Sequence, residues 1–202
     1  MNRVTEIVMQ LDEAKQQAVW VAHSLFNRNK VSGSCANLSF RCDDKIYITA
    51  SGTCFGILKE SDFAVVDLEG NSLSRLKPSI EFPLHLSLYR KSADIGAVLH
   101  THSVYSVLWS FHPAENESDC VPEYTPYLKM KVGTVGLIPY EKPGTAELFR
   151  AFQNRLQLSD AYLLKQHGPV VCGKNMMDAF YGLEELEESC RIAWELRGLP
   201  RE

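Results

Sequence analysis

His100-Thr101-His102 sets two imidazoles two residues apart at the end of the apolar run Ile95-Gly96-Ala97-Val98-Leu99. That run reads as a buried strand, and side chains along a strand alternate faces, so both rings are expected to point the same way. A third imidazole, His167, follows a second apolar run, Ala161-Tyr162-Leu163-Leu164, and is followed at once by Gly168. Three neutral imidazoles with one open position are a recurrent catalytic zinc arrangement. Two histidines at this spacing also occur as core or surface residues; the strand context and the third ring favour a metal.

Glu81 sits in Lys77-Pro78-Ser79-Ile80-Glu81, at the start of a predicted helix. The helix dipole alone accounts for an acid there, yet a carboxylate held near a metal can also give or take a proton. Ser51-Gly52-Thr53 and Ser79 are hydroxyl-bearing turns near predicted helix starts, where N–H and hydroxyl groups suit either ordinary capping or a phosphate. His23, His85 and His112 have no convergent partner in the sequence and read as structural or solvated. Glu184, Glu185, Glu187 and Glu188 read as a solvated face of the last helix.

These residues need a scaffold, and the periodicities outline one. Residues 4–28 carry an apolar stripe (Ile7, Leu11, Ala14, Ala18, Val21, Ala22, Leu25) that predicts a helix. Strands are expected at 36–41, 46–49 and 63–67, with Asp43-Asp44 turning the first pair. A helix is predicted over 78–90, with Ser79 as its cap and Pro83 in its first turn. The histidine-bearing strand follows, then a helix from 103 to 110 and a polar surface loop over 112–123. Further strands are expected at 135–139, 161–164 and 170–172, the last two flanking a His167-Gly168-Pro169 turn. Helices are expected over 144–156 and 176–197. Helices at both ends around a run of strands imply an α/β sandwich with a mixed or antiparallel sheet.

At 202 residues the chain suits one domain spanning 1–202. Its 45% apolar and 23% charged residues are ordinary for a soluble globular protein. A net charge of −4 without a basic stripe argues against nucleic acid, and the apolar runs are too short for a membrane span. The first fifteen residues mix charge and apolar side chains at helical spacing, unlike a signal peptide. The six cysteines form no Cys-x-x-Cys pair and read as reduced thiols of a cytoplasmic protein.

Five segments occur in a familiar order: Gly33-Ser34-Cys35-Ala36-Asn37-Leu38-Ser39, Thr49-Ala50-Ser51-Gly52, Lys77-Pro78-Ser79-Ile80-Glu81, His100-Thr101-His102 and Gln166-His167-Gly168. Together they resemble the class II aldolase/adducin family over nearly the whole chain. The resemblance implies a three-layer α/β/α sandwich around a largely antiparallel sheet, and homotetramers with active sites at subunit interfaces. It implies His100, His102 and His167 as ligands of a divalent metal, usually zinc. Glu81 is implied as the acid/base and as a ligand before substrate arrives. Asn37, Ser51, Gly52 and Ser79 fall where members hold a substrate phosphate, and Tyr127 where a neighbouring subunit lends a tyrosine. Ile80 departs from the pattern: sugar-phosphate aldolases carry serine there.

Within the family, Tyr124-Thr125-Pro126-Tyr127, residues 138–144 and residues 163–173 look most like the 3-oxo-tetronate 4-phosphate decarboxylases, which often carry lysine at the Ile80 position. That implies a zinc-dependent carboxy-lyase producing dihydroxyacetone phosphate and carbon dioxide through a metal-stabilised enediolate. Alternatives are a sugar-phosphate aldolase or 4-epimerase of the fuculose or ribulose phosphate type, a thio-sugar phosphate dehydratase, and a non-catalytic adducin-like interaction module. The module is disfavoured because all three histidines and Glu81 are present.

Overall fold

The computed structural model describes residues 3–198; Met1 and Asn2 of the expected N-terminal amphipathic stretch lie outside that range. Helix α1 (Arg3–Asn27) leads into β1 (Ala36–Cys42), β2 (Lys45–Thr49) and β3 (Phe63–Asp67). Then come α2 (Phe82–Lys91), β4 (Ala97–Thr101), α3 (Val104–Ser110) and α4 (Tyr127–Lys131). The chain ends with β5 (Val135–Ile138), α5 (Ala146–Arg155), β6 (Ala161–Leu164), β7 (Gly168–Gly173) and α6 (Met176–Leu196). The seven strands form one sheet in the order β3-β2-β1-β4-β7-β6-β5. Every pairing is antiparallel except β5 with β6. This is the α/β sandwich with a largely antiparallel sheet that the sequence predicts.

Two cores explain the three layers. Leu38, Phe40, Leu99, Leu163 and Val171 project from one sheet face onto Ala18, Val21 and Leu25 of α1 and Leu183, Leu186 and Cys190 of α6. On the other face Ile46, Ile48, Val98, Tyr162 and Val170 pack against Leu84 and Leu88 of α2 and Leu148 and Phe152 of α5. Burying two separate apolar faces fixes the register of the central strands, because a one-residue slip would exchange them. Caps set the helix starts: Thr145 Oγ1 accepts from Leu148 N–H, and Asn175 Oδ1 accepts from Asp178 N–H. Among the described residues no helix is long and apolar enough to cross a membrane.

Several boundaries differ from the sequence reading. Helix α2 begins at Phe82, not Pro78, because Pro78 pairs instead with Ala50 in an isolated bridge. Ser79 therefore sits in a turn ahead of the helix and does not cap it; its Oγ accepts from Glu81 N–H. The turn between β6 and β7 is Lys165–His167, and β7 starts at Gly168. Residues 112–123 lack regular structure, as expected, but the end of the segment is not on the surface. Cys120 and Val121 are buried, and the Cys120 carbonyl accepts from the Trp109 indole. Helix α4 has no counterpart in the sequence reading; one helical turn carries too little periodicity to register.

Candidate metal centre

The sheet's middle delivers the first ligands. His100 lies in β4, with Asn37 of β1 opposite on one side and Val170 of β7 on the other. His102 lies one residue past the strand, yet its ring centroid is 5.1 Å from that of His100. His167 arrives from the β6–β7 turn, its ring 4.7 Å from His100 and 4.6 Å from His102. Gly168 makes this approach possible: a Cβ there would stand 2.0 Å from the Thr101 carbonyl oxygen. Glu81 comes from the opposite side. Ser51 N–H donates to the Lys77 carbonyl and Ser79 N–H to the Thr49 carbonyl. This pairing sets Ser79, Ile80 and Glu81 beside the Ser51-Gly52 turn, where Gly52 takes φ +81°.

One ligand atom from each of Glu81, His100, His102 and His167 lies within 4.8 Å of all the others. His100 Nε2 and His167 Nε2 are 3.3 Å apart. Glu81 Oε2 is 3.2 Å from His100 Nε2, and its Oε1 is 3.2 Å from His167 Nε2. Two nitrogens bound to one zinc at about 2.05 Å, at the tetrahedral angle, stand about 3.3 Å apart. The His100–His167 pair therefore stands at the separation that two imidazole ligands of one zinc would have. His100 Nδ1 lies 2.8 Å from the Pro169 carbonyl, an oxygen that can only accept. The ring's proton is thus on Nδ1, and its Nε2 lone pair faces the cluster.

Charge agrees with this geometry. Burial, reinforced by His100, pushes His102 down to about 4 and His167 down to about 3, so both are neutral donors at pH 7. Burial pushes Glu81 up, but His100, His167 and the Asn37 amide outweigh it, holding the carboxyl well below the usual range. Glu81 is only 6% exposed. Its Oε1 and His167 Nδ1 are the buried side-chain polar atoms that find no hydrogen-bond partner among the described residues. A buried ionised oxygen without a donor costs several kcal/mol unless a cation or substrate satisfies it. The donor set fits a divalent metal.

Above the cluster opens a cleft of about 250 Å³. Its floor includes Glu81, His102, His167 and Asn37, and its walls carry Ser34, Ser51, Thr53 and Ser79. Ile80 and Pro143 close one side; Ile80 is half-exposed and lies against Gly144. Ser51, Gly52 and Ser79 are thus brought together, as the sequence reading expects. Asn37 also lines the cleft, but its amide nitrogen donates to Glu81 Oε2 at 3.1 Å and its oxygen faces His85 Nε2 at 2.6 Å. Tyr127 starts α4, is exposed, and does not line this cleft.

His85 falls on the structural side of its reading, whereas Glu187, read as part of a solvated face, is placed differently. His85 is fully buried between Asn37 and Ser39. A signal was available: Glu81, His85 and Tyr89 are spaced i, i+4, i+8 on one helical rung, opposite Asn37 and Ser39 at i, i+2 on a strand. Glu187 is 2% exposed, not solvated, and accepts from Tyr105 N–H, Ser106 N–H and Ser106 Oγ. His23 contacts the Leu58 carbonyl, and His112 stacks on Trp109 at the surface.

Comparison with known proteins accords with the site. The model of the class II aldolase and adducin N-terminal domain matches residues 16–194. A 3-oxo-tetronate 4-phosphate decarboxylase of Haemophilus influenzae is 35% identical over 91% of this chain and 88% of its own. An L-fuculose phosphate aldolase of Methanocaldococcus jannaschii is 38% identical over 88% of this chain and 94% of its own. Among solved structures, YgbL of Klebsiella pneumoniae superposes with a TM-score of 0.89 at 33% identity, covering 94% of this chain and 92% of that one. The chain that brings three imidazoles and a buried carboxylate to one point therefore belongs to the class II aldolase and adducin family.

Proposed function

We infer that the protein is a metal-dependent carbon–carbon lyase acting on a small phosphorylated sugar acid. The reaction proposed is decarboxylation of a 3-oxo-tetronate 4-phosphate to dihydroxyacetone phosphate and carbon dioxide. The observation that carries this reading is the convergence of His100, His102, His167 and Glu81 on one point, with all but His100 lining a cleft walled by hydroxyl groups. The decarboxylase relatives, about 35% identical over most of the chain, support the substrate class. Zinc is the proposed ion, from three imidazole nitrogens gathered beside one carboxylate.

His100, His102 and His167 hold the ion, and Pro169 orients His100 through its carbonyl. A divalent cation bound there supplies Lewis-acid stabilisation of negative charge on the substrate's C3 oxygen and C2 hydroxyl. When the C1 carboxylate leaves as carbon dioxide, its bonding electron pair remains at C2. Glu81, ionised at rest, takes a proton from a solvent water and passes it to C2, and the product is dihydroxyacetone phosphate. One solvent proton is thus consumed for each carbon dioxide released. Ser51, Gly52 and Ser79 form the phosphate end of the cleft, while the Asn37 amide is engaged by Glu81 and His85. Because Tyr127 is exposed and off its own cleft, we assign it to the cleft of a neighbouring subunit in a homotetramer.

A second reading, a sugar-phosphate aldolase, is favoured by the L-fuculose phosphate aldolase relative at 38% identity. It would use the same charge stabilisation but break a carbon–carbon bond to an aldehyde. Ile80 matches neither the serine of the aldolases nor the lysine of many decarboxylases. One assay separates the two readings: release of carbon dioxide from a 3-oxo-tetronate 4-phosphate, or release of aldehyde from a ketose 1-phosphate. Carbon dioxide release that disappears with chelator and returns with zinc is expected. Aldehyde release alone would establish the second reading, and a purified protein without stoichiometric metal or turnover would overturn both.

A further inference from the structure

Behind Glu81 runs a line of buried polar groups that the proposed reaction does not use. Asn37 turns its amide nitrogen to Glu81 Oε2 at 3.1 Å, since the reverse orientation would set oxygen against an ionised oxygen. The amide oxygen then faces His85 Nε2 at 2.6 Å. An amide oxygen only accepts, so Nε2 carries the ring's proton and Nδ1 is bare. Ser39 Oγ lies 2.7 Å from Nδ1 and donates to it. With its single proton committed, Ser39 accepts from the Tyr89 hydroxyl at 2.8 Å. Every donor points the same way, from Tyr89 through Ser39, His85 and Asn37 to Glu81.

Three further facts bear on this line. Ser39 and His85 are fully buried, and Tyr89 and Asn37 nearly so, leaving no room for solvent to compete. Burial pushes His85 down to about 3 and Tyr89 upward, so both stay neutral, the forms the chain of donors needs. Only one oxygen of Glu81 is tied: Oε2 receives the Asn37 amide, while Oε1 has no hydrogen-bond partner among the described residues.

We propose that His85 is a positioning residue whose Nε2–H tautomer, set by Tyr89 and Ser39, locks the Asn37 amide and through it anchors Glu81 Oε2. Oε1 is thereby the oxygen left to meet the cation and to carry the proton. The inference rests on the assignment of Glu81 as the acid/base. A carboxylate free to rotate would lose alignment with C2, and sub-ångström misplacement is costly to proton transfer.

The tautomer is tested without any turnover. A long-range proton–nitrogen correlation spectrum of the intact zinc-loaded protein should show His85 protonated at Nε2 and bare at Nδ1; the opposite tautomer would overturn the proposal. Kinetics test the path. His85→Leu should lower kcat by about tenfold to a hundredfold, with KM within about threefold and one zinc retained per chain. His85→Gln, which keeps a donor toward Asn37, should recover most of the loss. In an Asn37→Ala background His85→Leu should cost nothing further, because one side chain acts through the other. Losses that multiply would show that His85 acts independently. If Glu81→Gln leaves turnover intact, the assignment of Glu81 itself fails, a result that the tautomer measurement does not touch.

Discussion

Two buried carboxylates sit on the same molecule and do opposite things. Glu187, on α6, is 2% exposed, and both its oxygens are occupied by donors from the start of α3. Lys30 Nζ stands 3.9 Å away as a distant counter-charge. Glu81 is nearly as buried at 6%, but one oxygen is held by Asn37 and the other has no donor. Burial alone does not distinguish them. What differs is whether the lone pairs are satisfied within the fold. A saturated carboxylate fastens one helix to another, and an unsaturated one beside a cleft stores free energy for a ligand.

The contrast can be broken at several points. The largest effect is expected at the cation: His100→Ala or His167→Ala should remove bound metal and lower turnover by roughly a thousandfold or more. Elemental analysis and kinetics on the same preparation check this, and full activity without metal would refute the site. Glu81→Gln should slow turnover by roughly a hundredfold with zinc retained. In the metal-free protein at pH 7 the same change should lower the denaturation midpoint, because a carboxyl held below the usual range lends the fold stability only while ionised. Glu187→Ala should cost about 2–3 kcal/mol in urea denaturation while bound zinc and turnover persist. Loss of zinc or turnover from Glu187→Ala would erase the distinction.

Acid sharpens it further. His85, His102 and His167 are all held below the ordinary 6.5, by burial first and then by His100. Between about pH 6.5 and 4 the unfolded metal-free chain therefore binds more protons than the folded one. Stability is complete above pH 6.5 and drains as pH falls, by about 1.4 kcal/mol per pH unit for each ring. Urea denaturation at pH 7.5 and 5 measures the slope, and a flat profile would mean that the rings are solvated. The smallest effect is expected at the cleft mouth. Ile80→Ser, restoring a hydroxyl, should lower KM for the phosphorylated substrate by up to about tenfold with kcat unchanged.

Much of the site was legible because its signals are local. A histidine pair at i, i+2 after an apolar run, a histidine before glycine at a strand end, and a carboxylate in a serine-bearing turn are each visible within a few residues. The layered fold was legible for the same reason, since β1 and β2 alternate and α1 carries a stripe. What was misread depended on partners far along the chain. Ser79 resembled a helix cap, but pairing of Pro78 with Ala50 moved the helix start to Phe82. Glu187 stood in a run of glutamates that are individually solvent-facing by pattern, and only the packing of α3 onto α6 buried it.

Residue types and spacing by themselves determined which groups are chemically able to act: three imidazoles, one carboxylate and a set of hydroxyls. Tertiary structure alone decided which lone pairs remain free. Asn37 was expected at the substrate's phosphate, and the fold turns its amide toward Glu81; His85 was read as structural or solvated, and the fold sets it behind that amide. The physical reason is that a hydrogen bond is a property of a pair. Chemical capacity belongs to a residue and is written in the sequence, whereas saturation depends on a neighbour 44 or 48 residues away.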